Sequence, residues 1–133
     1  GKAVLTSAPL PLGRGERVLV VDDEAALGQL IHSLLTEHNY SAVVADGPAA
    51  ALGTFTRGGR FDLALVDLNM PVMDGARLAK VMHNIQPGLR VLLVTGSQEM
   101  QLADNQTGQF AGVVAKPFTA ETLLVAMDKA LHG

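Results

Sequence analysis

Acidic, hydroxyl and amine side chains stand directly after four short apolar runs of this chain. These residues are Asp22 and Asp23, Asp67, Thr95, and Lys116. An acid at the end of a buried strand is not needed for packing, and in an open α/β sheet that end is where ligands bind. The chemistry on offer is nucleophilic, because a carboxylate such as that of Asp67 can attack phosphorus and form an aspartyl phosphate.

The three aspartates also form a candidate metal site. Three neighbouring carboxylates repel one another, which raises the pKa of at least one of them. Mg²⁺ relieves this repulsion, and because it keeps several of its waters, one or two direct carboxylates suffice. We expect Asp23 and Asp67 to bind the ion directly and Asp22 to act through water. The backbone carbonyl of Asn69 is a further candidate ligand.

The remaining polar residues are candidates for holding a phosphoryl group. Lys116 offers a mobile cation to one phosphate oxygen, and Thr95 offers a hydroxyl donor to another. Gly96 and Asn69 complete the expected phosphate-binding set. Each residue also has a simpler interpretation: Asp22 and Asp23 as helix caps, Thr95 as an ordinary strand residue, and Asn69 as a turn residue. The ordered set favours a site, because phosphoryl transfer depends mostly on positioning and charge stabilisation.

Five apolar runs predict the strands that position these residues, and they cover residues 17–21, 41–45, 61–66, 90–94 and 112–115. Helical spacing follows each run. The first helix is predicted from Leu27, Leu30, Ile31, Leu34 and Leu35, with Asp22 or Asp23 as its cap. Asp74 and Thr119 are predicted caps of later helices, and the helix within residues 97–110 has the weakest periodicity. Strictly alternating units predict a doubly wound α/β domain with a parallel sheet, whose carboxyl edge gathers the polar residues.

Composition limits the number of domains and the classes of function that this chain can have. The 133 residues suit one domain, and 48% of them are hydrophobic. We expect residues 1–16, rich in Gly, Pro and Ala, to be a linker or tail, and residues 17–132 to be the domain. The absence of cysteine excludes disulfides and thiolate metal sites. A net charge of -3 without a basic stripe disfavours direct nucleic-acid binding. Apolar runs far shorter than about 20 residues disfavour membrane contact, so we expect a cytoplasmic location.

Five motifs together resemble the receiver domain of two-component response regulators. They are Val20-Val21-Asp22-Asp23-Glu24, Asp67-Leu68-Asn69-Met70-Pro71, Asp74-Gly75, Thr95-Gly96 and Lys116-Pro117-Phe118. The resemblance runs from about Arg17 to Leu131. It implies a single (βα)₅ flavodoxin-like domain with strand order 2-1-3-4-5, Mg²⁺ at Asp22, Asp23 and Asp67, and a cis Lys116-Pro117 bond.

The resemblance also implies partners and a biological context. Asp67 would accept a phosphoryl group from the phosphohistidine of a histidine kinase or a histidine phosphotransfer domain, and would later lose it by autodephosphorylation. We expect a monomer or a weak dimer. The residues before the first strand and the ending after the last helix are similar to C-terminal receivers of hybrid sensor histidine kinases. The domain itself would signal and not act as an enzyme.

One residue departs from the family pattern. Three residues before the lysine the family usually has Tyr or Phe, and this chain has Val113. The usual coupling between the conserved hydroxyl and that aromatic ring is therefore not expected here, unless Phe110 replaces it.

Two other functions compete with a phosphoacceptor. A Mg²⁺-dependent phosphatase with an aspartate nucleophile needs a second acid two residues later, where this chain has Asn69. A pseudo-receiver that only binds partners predicts the loss of an acid or of the lysine, and none is lost. A dinucleotide-binding protein is disfavoured, because no glycine-rich loop follows the first strand.

Overall fold

A computed structural model describes residues 9–57, 59–70, 73–96 and 110–133. The strands are β1 (Arg17–Val21), β2 (Ser41–Ala45), β3 (Leu63–Asp67), β4 (Arg90–Thr95) and β5 (Gly112–Ala115). They form one parallel sheet of order β2-β1-β3-β4-β5. The predicted doubly wound, flavodoxin-like fold and its strand order are therefore confirmed.

Four helices lie within the described residues: α1 (Ala25–Glu37), α2 (Pro48–Arg57), α3 (Gly75–Ile85) and α4 (Ala120–His132). Two of them begin at predicted caps. The Asp74 carboxylate accepts the Arg77 N–H at 2.9 Å, and the Thr119 hydroxyl accepts the Thr122 N–H at 3.1 Å, so each satisfies an amide that the helix leaves free. The helix predicted within residues 97–110 and Pro71 of the second motif lie outside the described residues.

Two hydrophobic cores sandwich the sheet, one on each face. Alternate residues of the strands pack against α2 and α3 on one side, with Phe55, Phe61 and Met82 among the contributors. The intervening residues pack against α1 and α4 on the other side, with Leu35 and Met127 among the contributors. Strands that are buried on both faces account for the continuous apolar runs in the sequence.

The helix α1 and the strand β3 differ in detail from the predictions. α1 has Glu24 at its N-cap, with no side-chain cap hydrogen bond. The cap predicted at Asp22 or Asp23 is thus wrong, because the Asp22 carboxylate accepts the N–H of Glu24 instead. Leu30 is 66% exposed, because α1 buries a narrower stripe than its leucines suggest. β3 begins at Leu63 and extends through Asp67, so the aspartate is its last residue.

Residues 13–16 belong to the predicted linker but pack against the domain. The Gly13 N–H donates to the His38 carbonyl at 2.8 Å, and the Gly15 N–H donates to the Asn39 carbonyl at 2.8 Å. The Asn39 side-chain amide returns a 2.7 Å hydrogen bond to the Gly13 carbonyl. These bonds attach the end of the segment to the turn between α1 and β2, so a domain boundary at residue 17 remains a prediction.

No helix in the described part of the chain is long and apolar enough to span a membrane.

Candidate functional site

The carboxyl ends of neighbouring strands bring the predicted site residues together. Asp22 directly follows β1, and Asp67 ends β3, the next strand in the sheet. Backbone hydrogen bonds continue past the strand ends: the Asp22 N–H donates to the Ala45 carbonyl at 3.1 Å, and the Lys116 N–H donates to the Thr95 carbonyl at 2.7 Å. The backbone of each residue is therefore fixed by the sheet.

Asp22, Asp23 and Asp67 form a carboxylate cluster. One carboxylate oxygen of each lies within 4.8 Å of those of the other two. Asp22 is 2% and Asp67 is 4% exposed, while Asp23 is exposed at the rim. Three oxygen donors at this separation suit a hard cation with oxygen ligands.

Lys116 lies against this cluster and balances part of its charge. Its Nζ is 3.3 Å from Asp67 Oδ2 and 3.8 Å from Asp22 Oδ2. A third acid, Glu24, approaches the same Nζ to 3.8 Å from the exposed side. One ammonium therefore faces several carboxylates, and the cluster keeps an excess of negative charge.

The titration behaviour reflects this conflict. Burial raises the pKa of the Asp67 carboxyl, and the charge of Asp23 adds to the rise; the hydrogen bond from the Asn69 N–H and the charge of Lys116 offset it only in part. Burial likewise raises the pKa of Asp22. Burial would lower the pKa of Lys116, but Asp67 and then Asp22 outweigh it and raise that pKa. The lysine thus stays charged while its two buried partners resist ionisation.

Two backbone amides orient the buried carboxylates. The Glu24 N–H donates to Asp22 Oδ1 at 2.8 Å, and the Asn69 N–H donates to Asp67 Oδ1 at 3.1 Å. Each bond spans two residues, so the loop after each strand holds the acid that precedes it. For Asp67 this leaves Oδ2 as the oxygen that faces Lys116.

Most of the predicted residues line one open cavity. Its described lining residues are Asp23, Glu24, Asp67, Asn69, Gly96 and Lys116. Thr95 does not contribute to that lining. It is fully buried, and its hydroxyl donates to the Gly96 carbonyl at 3.0 Å. The structure therefore brings Asp23, Asp67, Asn69, Gly96 and Lys116 to one cavity, and Asp22 and Thr95 are buried outside its lining.

Sequence reasoning missed two residues of this region. Glu24 faces the cavity and Lys116, and the signal for it was its place directly after the two aspartates. Gly75 allows α3 to start against the end of β3: a Cβ there would lie 2.3 Å from the Asp67 carbonyl oxygen and 2.9 Å from Leu68 Cα. Its signal was the Asp74-Gly75 pair, which counted as a family motif, but no role was predicted for the glycine itself.

Two expectations drawn from the family resemblance also have structural counterparts. The Lys116-Pro117 peptide bond is cis, as expected. Val113 is partly buried against the core beside α3, so no aromatic ring stands at that position. Phe110 packs against the same core and stacks on His83 with ring centroids 6.5 Å apart. A switching role for Phe110 remains a prediction.

Comparison with known families decides the assignment of the chain. Residues 18–128 match the model of the response regulator receiver domain. The chain belongs to the receiver domain family. The match covers the sheet apart from Arg17 at its start, and most of α4.

Individual relatives agree with this assignment. This chain is 30% identical over 119 residues to the chemotaxis protein CheY of Bacillus subtilis. The alignment covers 87% of this chain and 98% of that protein. It is 36% identical over 117 residues to the transcriptional regulatory protein GlrR of Escherichia coli, covering 86% of this chain but only 26% of that protein. The chain thus spans about a quarter of that longer relative.

A solved structure gives the same fold. The response regulator TrrA of Thermotoga maritima, solved in complex with Mg(2+)-BeF, superposes with a TM-score of 0.77 at 28% identity, covering 87% of this chain and 99% of that one. The receiver domain described here is therefore a module of two-component signalling, and its acidic cluster is suited to a divalent cation.

Proposed function

We propose that this receiver domain is a phosphoacceptor that takes a phosphoryl group from phosphohistidine onto Asp67 in a Mg²⁺-dependent reaction. The supporting observation is the carboxylate cluster, in which three acids lie within 4.8 Å of one another and Lys116 Nζ is 3.3 Å from Asp67 Oδ2. Buried acids with raised pKa values beside a solvent-accessible cavity are typical of functional sites.

The donor set fits Mg²⁺. Asp23 and Asp67 line the cavity and would bind the ion directly, with Asp22 behind them and the Asn69 carbonyl as a further oxygen. Mg²⁺ bound there would offset the charge of the carboxylates and of an incoming phosphoryl group. This charge compensation would also lower the raised pKa values of Asp22 and Asp67, which favours the ionised, nucleophilic form of Asp67.

Asp67 would act as the nucleophile. Its oxygen attacks phosphorus while the bond between phosphorus and the imidazole nitrogen of the donor breaks, and the electron pair of that bond stays on the nitrogen. Lys116 then moves from Asp67 to a phosphoryl oxygen, with Gly96 and Asn69 beside the group. The Thr95 hydroxyl must turn from the Gly96 carbonyl to reach the phosphoryl group.

Autodephosphorylation completes the cycle. A water oxygen attacks the phosphorus, the bond between phosphorus and the Asp67 oxygen breaks, and inorganic phosphate leaves. The open cavity gives water access to this position. The donor would be a histidine kinase or a histidine phosphotransfer domain. Membership of a hybrid kinase, a cytoplasmic location and a monomeric or weakly dimeric state remain predictions.

Intact mass measurement tests the proposal. The protein is incubated with acetyl phosphate or phosphoramidate and Mg²⁺, with and without EDTA. We expect a gain of one phosphoryl group that requires Mg²⁺, is lost in mild base and is absent in Asp67→Asn. Asp62→Asn is the matched control, because Asp62 directly precedes the opposite end of the same strand and this variant should be labelled normally.

Other outcomes separate the alternatives. Labelling retained in Asp67→Asn would overturn the site assignment. Mg²⁺ binding without any adduct, even at short reaction times, would support a pseudo-receiver. Steady release of phosphate with many turnovers from several phosphomonoesters would support a phosphatase.

Lys116→Ala should still be labelled, but more weakly, and its main loss should be in signalling.

A further inference from the structure

His132 joins the two ends of the domain, far from the carboxylate cluster. It lies at the end of α4, and its two ring nitrogens contact carboxylates from different elements. Nδ1 is 2.8 Å from Asp128 Oδ1, one turn earlier in the same helix, and Nε2 contacts Glu16 Oε2. The side chains of His132 and Glu16 are only 18% and 15% exposed. Both contacts are hydrogen bonds only when both ring nitrogens carry protons, which requires the imidazolium.

Glu16 is the last residue of a segment that is docked on the domain through its backbone. The Glu16 carbonyl accepts the Ser41 N–H at 2.9 Å, and Gly13 and Gly15 are bonded to the turn after α1. Gly13 also lies on the Tyr40 ring, where a Cβ would come within 2.6 Å of two ring carbons. The segment therefore covers Tyr40, and His132 ties its last residue to α4.

The groups around His132 favour its charged form. Hydrogen bonding to Asp128 and then to Glu16 raises the pKa of His132, against partial burial and the charge of Arg14. Burial alone would raise the pKa of Glu16, but the Arg14 backbone N–H and His132 outweigh it and lower that pKa. Burial, with the charges of Glu16 and Asp128, raises the pKa of the Tyr40 hydroxyl to about 12. That hydroxyl is buried without a hydrogen-bond partner among the described residues, so it stays neutral and does not compensate either carboxylate.

We propose that His132 is a pH-operated latch that holds residues 13–16 against the turn after α1 and the end of α4. The protonated ring bridges the carboxylates of Glu16 and Asp128. The neutral ring can donate to only one of them and turns a lone pair toward the other. Deprotonation therefore releases Glu16, loosens the glycine hydrogen bonds and uncovers the Tyr40 ring.

The direction of the pH dependence follows from the raised pKa. The stabilising contribution of the latch is complete below the ordinary imidazole pKa of about 6.5. It is lost as the pH rises through the higher pKa of His132 in the folded protein. The segment is thus docked in mildly acidic solution and increasingly free in alkaline solution.

Amide hydrogen exchange measured by NMR on the whole chain tests the latch. Protection factors of Gly13 and Gly15, corrected for intrinsic exchange, are compared at pH 5.5 and pH 8.5 with that of Val20 in β1. We expect protection of both glycines to fall by about tenfold, the upper end of the net contribution of one ordinary hydrogen bond. Val20 should change little. The His132 ring resonance should titrate with a midpoint above about 6.5.

Variants assign the effect to the proposed group. His132→Gln should abolish the pH step at Gly13 and Gly15, and His32→Gln on α1 should leave it intact. Glu16→Gln should lower the His132 midpoint and reduce the step, and it tests the latch if His132→Gln does not fold. An ordinary His132 midpoint, or a step that survives His132→Gln, would overturn the proposal. A step removed by His38→Gln would instead assign the titration to the turn itself and equally overturn it.

Discussion

The two edges of the sheet use charged and polar residues in opposite ways. At the carboxyl edge Asp22 and Asp67 are buried beside Asp23 with one lysine between them, and their raised pKa values show that the folded state resists their ionisation. At the amino edge the polar groups of Arg17, Phe61, Asp62 and Gln86 are paired with one another. The carboxyl edge thus keeps charge repulsion among its carboxylates, whereas the polar groups named at the amino edge have hydrogen-bond partners.

The amino edge gains stability from this pairing. The Arg17 N–H donates to Asp62 Oδ2 at 2.9 Å. The Arg17 guanidinium carbon lies 4.4 Å from the centroid of the Phe61 ring. The Gln86 side chain accepts the Phe61 N–H at 3.2 Å and donates to the Phe61 carbonyl at 2.7 Å, as a neighbouring strand would. The difference indicates that stability is concentrated at one edge and reactivity at the other.

The largest expected effect lies where the carboxyl edge meets α3. In Gly75→Ala the new Cβ would lie 2.3 Å from the Asp67 carbonyl oxygen. Because that neighbour is backbone, relief requires β3 or α3 to move. We expect a loss of about 3 kcal/mol of unfolding free energy, at the upper end for overpacking, together with loss of phosphoryl labelling. Urea unfolding followed by circular dichroism measures the first, and intact mass the second.

Gly88→Ala is the matched control. A Cβ at Gly88 meets nothing within 4 Å, so this variant should be neutral or gain up to about 1 kcal/mol through reduced freedom of the unfolded chain. If Gly75→Ala were as stable as Gly88→Ala and were still labelled, the close approach of α3 to Asp67 would not matter for the site.

The second effect tests the amino edge. Gln86→Leu removes both hydrogen bonds to Phe61 and leaves its buried N–H and C=O without these partners. Each unsatisfied group costs about 1–3 kcal/mol, and we expect a total loss of about 2–3 kcal/mol, with phosphoryl labelling intact once the protein is folded. Urea unfolding in EDTA measures the stability, and labelling with Mg²⁺ in a separate sample, at a urea concentration below the transition, measures the reactivity.

Gln29→Leu, on the exposed side of α1, is the corresponding control and should change stability by less than about 0.5 kcal/mol. Equal stabilities of the two variants would show that the Gln86 amide is dispensable and that the amino edge depends on its apolar contacts alone.

The same comparison shows how far the sequence could predict this molecule. Apolar runs predicted all five strands, and the residues at the ends of these runs placed Asp67 and Lys116 at one edge. Both signals are local and are repeated along the chain. Gln86 and His132 gave no comparable signal. Each acts on a residue distant in sequence, Phe61 and Glu16 respectively, and only the folded chain brings the pairs together. The buried hydroxyl of Thr95 was predicted at the correct edge, but its bond to Gly96 depends on a rotamer that sequence does not specify.

The smallest expected effect is a change in unfolding free energy that has opposite signs at the two edges. Asp67→Asn removes a buried ionised group, and Lys116 keeps Asp22 and Glu24 as partners. In EDTA at pH 7 the variant should therefore raise the unfolding free energy by about 1–2 kcal/mol, the lower part of the range seen when buried ion pairs are replaced. Asp62→Asn weakens the charge-assisted bond to the Arg17 N–H and should lower it by about 1 kcal/mol. Urea unfolding of both variants beside the wild type measures the difference.

Two titrations sharpen this contrast. Because the folded-state pKa of Asp67 is raised, ionisation of Asp67 removes stability as the pH rises from about 3.9, the pKa of an unfolded aspartate, through that higher value. The advantage of Asp67→Asn should therefore shrink as the pH falls below this range. Added Mg²⁺ should stabilise the wild type more than the variant and narrow the same gap at pH 7. A gap that is independent of both pH and Mg²⁺ would mean that packing, and not charge repulsion among the three aspartates, distinguishes the carboxyl edge from the amino edge.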